Sequence, residues 1–137
     1  MTKPPLILVS PAIEKRGTEF HDRSINARRM DKRNAVAHEV RLTDGSILVK
    51  ITGKQTLGVN STHHQAVAQP AKPLAMAAYS PDGVVESMQL KPGAAHWLPF
   101  LLSVQFHPER LVNGPAGHRA IFSVFTQACV VNRKKTI

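Results

Sequence analysis

The sequence predicts an α/β layered domain. Three observations carry this: short apolar runs of strand length, a turn sequence set between two extended runs, and a helical apolar pattern at the carboxyl end. At 137 residues the chain suits one domain, read here as 1–137, and 42% hydrophobic residues supply material for a core. There is no internal repeat and no low-complexity tract.

Taken in order, Pro4 and Pro5 precede Leu6-Ile7-Leu8-Val9, a continuous apolar run of the kind that forms a buried strand. Ser10 to Asn34 is polar, charged and without periodicity, and reads as loop. Residues 1–25 thus read as a first strand and loop, and 26–133 carry the remaining elements. Val36 to Leu42 alternates, with Val36, His38, Val40 and Leu42 on one side, which predicts a strand. Thr43-Asp44-Gly45 makes a turn, after which Ser46 caps a short helix through Ile51 that Gly53 closes. Leu57-Gly58-Val59 is a further short strand. Leu74 to Tyr79 and Val84 to Leu90 flank Ser80-Pro81-Asp82-Gly83 and form a hairpin. Leu98 to Phe106 reads as a buried strand running straight into His107-Pro108-Glu109. His118 to Val131 places Ile121, Phe122, Phe125 and Cys129 at helical spacing, which predicts an amphipathic closing helix with Cys129 packed as a small hydrophobe.

Composition narrows the function classes. No apolar run approaches a membrane span, and Leu6 to Val9 is too short for the core of a secretory signal, so a cytoplasmic location is the expectation. One cysteine, Cys129, excludes an internal disulfide framework and a cysteine-based zinc cage. The net charge of +9 and pI near 10.3 raise nucleic-acid binding. However, the basic residues form scattered groups (Arg28, Arg29, Lys32 and Arg33; Arg133, Lys134 and Lys135) with few aromatics between them. A solvated basic surface is the expected reading, ahead of nucleic-acid binding, and no membrane partner is expected.

Two polar clusters stand at strand ends. In Val104-Gln105-Phe106-His107-Pro108-Glu109, the proline biases His107 towards an extended conformation. Alternate side chains then point the same way, so Glu109 can hold and orient the His107 imidazole. A surface ion pair is the plain alternative for that spacing alone. In Val59-Asn60-Ser61-Thr62-His63-His64-Gln65, adjacent histidines invite a metal reading with His107 or Glu109, but the spacings of known metal sites are missing. Hydrogen-bonding groups lining a substrate pocket are the better reading of Asn60, Ser61, His63, His64 and Gln65. No metal and no cofactor is called for.

These two clusters, with Asp82-Gly83-Val84-Val85-Glu86 between them, resemble in order the later blocks of the class I glutamine amidotransferase-like hydrolases. The branch is the one that includes γ-glutamyl-γ-aminobutyrate hydrolase, peptidase family C26. The resemblance covers about Asn26 to Arg133, and Lys3 to Ser10 is similar to the family's first strand. It implies a flavodoxin-like three-layer domain, a Cys-His-Glu triad and a γ-glutamyl amide substrate. In that triad His107 would be base and then acid, and Glu109 its orienter. The Asn60–Gln65 and Asp82–Glu86 blocks would border the pocket. The family's nucleophile sits in a Gly-x-Cys-x-Gly turn that this sequence lacks, and Ala27 stands where a histidine commonly precedes the paired arginines. Only sixteen residues separate Ser10 from Ala27, so the domain is expected to be incomplete, internally truncated and catalytically impaired. A non-catalytic binding or assembly module is the alternative, a basic nucleic-acid-binding protein ranks behind it, and self-association through exposed sheet edges is expected.

Overall fold

The computed structural model describes residues 33–63, 65–114 and 116–135. The expected first strand at Leu6–Val9, the following loop, the basic residues before Arg33, and His64 lie outside the described residues. Strand β1, His38–Leu42, alternates buried and exposed as its sequence requires, with His38, Val40 and Leu42 turned inward. Helix α1, Ile47–Thr52, starts where Ser46 Oγ accepts the Val49 N–H at 3.3 Å. It stops where Gly53, at φ 66°, donates its N–H to the Val49 carbonyl.

Strand β2, Thr56–Val59, returns antiparallel to β1 with Val40 opposite Leu57. Strands β3, Leu74–Tyr79, and β4, Val85–Leu90, form the expected hairpin. Its turn is held by Ser80, whose hydroxyl accepts the Val84 N–H and donates to Asp82, with Gly83 at φ 84°. Strand β5, Leu102–Val104, pairs with β4. The described sheet is antiparallel throughout, in the order β2-β1-β3-β4-β5. Its main core joins Val40, Leu42, Leu57, Val59 and Ala78 to Leu48 of α1, Phe106, and Ile121 of helix α2, His118–Lys135. A smaller cluster of Val67, Val85 and Met88 sits apart from it. The fold is an incomplete α/β domain.

Two expectations are corrected. The buried strand at Leu98–Phe106 shrinks to Leu102–Val104, and even that is only half-buried. Pro99 has no N–H to give a ladder, and β5 is an edge of the described sheet, so nothing described covers its far side. Leu98 remains 48% exposed. Cys129 is exposed, not packed. At 18 residues α2 is about 27 Å long. Its first turns reach the core through Ile121, whereas Phe122 and Phe125 stay 40% and 53% exposed and Cys129 lies a turn further out.

Candidate active site

Antiparallel pairing brings several termini to one end of the sheet. His38 opens β1 opposite Val59, which closes β2; Val85 opens β4 opposite Tyr79; and Ser87 faces Val104, which closes β5. The polar blocks following β2 and β5 therefore meet there.

His107 follows Phe106, a buried anchor of the core. Its backbone, with φ −107° and ψ 84°, is not the extended conformation expected, and Pro108 opens a single 3₁₀ turn through Arg110, so the turn rather than strand alternation brings Glu109 to His107. That geometry sets the His107 Nδ1 2.7 Å from Glu109 Oε1. A carboxylate only accepts, so Nδ1 carries the hydrogen, and Nε2 of the neutral ring keeps its lone pair for a substrate proton. The imidazole is 42% exposed and therefore approachable. Burial pushes the Glu109 carboxyl up, but its own backbone N–H, the His107 hydrogen bond and charge, and Arg110 outweigh this and hold it below the usual value. Glu109 thus stays ionised as a partner for His107. The pair can take and return a proton, the work of a general base with its orienter.

Asn60, fully buried, holds His107 in place. Its Oδ1 accepts the His107 N–H at 2.8 Å, and its Nδ2 donates to the His107 carbonyl at 3.0 Å and to that of Arg33 at 3.1 Å. The Asn60 amide is therefore turned to backbone. Ser61 is buried at 3% exposure. Gln65 is exposed and borders a cavity of about 230 Å³ between its loop and the β4–β5 edge, where Ser87, Ser103 and Gln105 also contribute. His63 Nδ1 donates to the Gln65 carbonyl at 2.9 Å.

Sequence reasoning passed over His38 and gave Glu86 only as part of a block. The Glu86 carboxylate is wholly buried and has His38 Nε2 at 3.3 Å and His63 Nε2 at 3.6 Å. The available signal was a titratable residue, His38, on the buried side of an alternating strand. Among the described residues, no group of three or more His, Cys, Asp or Glu is arranged to hold a metal ion, and no helix is long and apolar enough to cross a membrane.

The chain is 34% identical over 101 residues to the γ-glutamyl-γ-aminobutyrate hydrolase of Escherichia coli, a match covering 73% of this chain and 38% of that protein. A Rickettsia prowazekii protein described as glutamine amidotransferase-like is 37% identical over 89 residues, covering 64% of this chain and 30% of its own length. The chain thus spans about a third of the length of such relatives. In fold it is similar to a Thermoplasma acidophilum protein described as one subunit of a GMP synthase. The TM-score is 0.57 at 20% identity, over 72% of this chain and 45% of that one. The sequence model of the peptidase C26 family matches residues 10–109, a span that includes the Asn60 block, Glu86, His107 and Glu109, and the chain belongs to that family of class I glutamine amidotransferase-like proteins.

Proposed function

We propose that this chain carries the proton-transfer half of a γ-glutamyl amide hydrolase site and, alone, hydrolyses such amides poorly or not at all. The single observation behind the first part is the His107–Glu109 pair at 2.7 Å, fixed in place by the buried Asn60 amide. In the cysteine hydrolase mechanism a thiolate attacks the γ-carbonyl, the imidazolium returns a proton to the leaving amine, and water then releases glutamate. His107 is the group suited to move those protons, and Glu109 to stabilise its charged form.

The sequence holds no Gly-x-Cys-x-Gly turn, and its one cysteine, Cys129, is exposed on α2 and away from the core. Without a nucleophile, His107 can only direct a water at the carbonyl, and the covalent route is lost. The test is glutamate release from a γ-glutamyl amide by the purified chain, with His107→Ala as control. No turnover above background is expected. Turnover that disappears in His107→Ala means that another residue attacks and that the impairment reading is wrong.

A second reading rests on exposed apolar side chains. Trp97, Leu98, Phe122 and Phe125 lie open at 40% to 60% exposure, and Phe100 touches Phe125 with ring centroids 6.0 Å apart. A surface of that kind suits an assembly module that pairs with another polypeptide. Co-purification with a defined partner at fixed stoichiometry would favour it.

A further inference from the structure

We propose that Glu86 is a positioning residue, which acts through His63 to hold loop residues 60–63 and 65–67 over the end of the sheet where His107 stands. The proposal rests on reading that loop as a wall of the active site. Glu86 lies at the start of β4 and has no exposed surface. Its Oε1 lies between Nε2 of His38, on β1, and Nε2 of His63, in the loop. One carboxylate oxygen thus links two segments that the backbone ladder does not join directly. Other ties of the loop flank this point: the Asn60 amide on His107 and on the Arg33 carbonyl, and a backbone bridge from Val67 to Val85.

Proton accounting makes the contact specific. The Gln65 carbonyl can only accept, so His63 Nδ1 carries a hydrogen. With Nδ1 so committed, the approach of Nε2 to Glu86 is attractive only when a proton sits between them, on the ring or on the carboxyl group. An apolar side chain of the same size could fill the space but could not take part. A buried carboxylate is costly and is weak support for stability, since apolar replacements of such groups are often neutral or stabilising. Its presence at this position is therefore better explained by what it orients than by what it stabilises. Through His63 it sets the Gln65 backbone, and with it the residue that closes the cavity against Ser103 and Gln105.

The test compares the whole chain with Glu86→Leu and Glu86→Gln by amide hydrogen exchange and by nitrogen NMR of the His63 ring. Leucine fills the site without polar atoms, whereas glutamine can set its amide nitrogen where Oε1 stands and donate one hydrogen to His63 Nε2 and the other to His38 Nε2. The expected result is exchange faster by roughly tenfold at residues 61–67 in Glu86→Leu, with β3 and β4 amides unchanged. The His63 ring should then lose its fixed Nδ1–H signature. Glu86→Gln should stay close to the parent in both readouts. The proposal is overturned if Glu86→Leu leaves the loop within about twofold of the parent, or if Glu86→Gln loosens it equally. Should Glu86→Leu fail to fold, His63→Ala must produce the same local loosening, and unchanged exchange there also overturns it. Neither readout needs hydrolysis, so a failed activity reading leaves this test intact.

Discussion

Asn60 shows how one side chain can build a site without touching substrate. It makes three hydrogen bonds to backbone groups, two of them to His107, from a fully buried position. In Asn60→Ala those groups lose their partners, and the expected cost is about 3 kcal/mol of stability, read by urea unfolding. A loss below roughly 1 kcal/mol would mean that water replaces the amide readily and that His107 is held by other means.

His118 makes a pH prediction at the same scale. It is buried, with Nε2 donating to the Gly58 carbonyl at 2.8 Å and its ring edge-on to Phe106. Burial, and to a lesser degree Lys54, hold its imidazole below the ordinary value of 6.5, against the raising effect of the Gly58 bond. The unfolded chain then binds the proton first, so the contribution is complete above 6.5 and is lost as pH falls from there towards the folded value. Thermal stability should fall on the acid side of 6.5, and less steeply in His118→Asn, which keeps a donor but does not titrate. Equal slopes in the two proteins would remove His118 from the account.

At the scale of elements, what was legible followed from local chemistry. Helix α1 could be placed because Ser46 and Gly53 mark its ends by capping and by a left-handed backbone, both properties of single residues. The expected effect of Ser46→Ala is a loss of about 1 kcal/mol; a neutral result would mean that the 3.3 Å bond contributes nothing in solution. The β3–β4 hairpin was legible for the same reason, through Ser80 and Gly83. Strand β5 was overextended because an apolar run does not reveal whether a neighbouring strand exists to cover it. The packing of Cys129 was misjudged likewise: helical spacing gives the side of a helix, not how far along it the core extends. In the site, His107 and Glu109 could be joined from sequence because a single residue, Pro108, stands between them. The Glu86 contacts could not, because they link β4 with residues 48 and 23 positions earlier through tertiary packing.

At the scale of the whole molecule, two opposed forces set solution behaviour. The described sheet ends in β2 and β5, whose outer edges have no strand beside them among the described residues. Near β5 the surface carries Trp97 and Leu98, and α2 adds Phe125, Val130 and Val131, each 46% to 60% exposed. Apolar surface of this sort and open edges both favour self-association. Against them stands a net charge of +9, which makes identical chains repel. Repulsion between exposed charges is screened by salt, with a range of about 10 Å at 0.1 M falling to about 3 Å at 1 M, whereas apolar attraction is not weakened. The chain should therefore be smallest in dilute buffer and should associate as sodium chloride is added, the reverse of an assembly held by ion pairs. Sedimentation velocity across a salt series reads this directly, and Trp97→Ser combined with Phe125→Ser should move the onset to higher salt. A monomer at every salt concentration would show that these side chains are accommodated without a partner. Dissociation on adding salt would put charge, not apolar contact, at the interface.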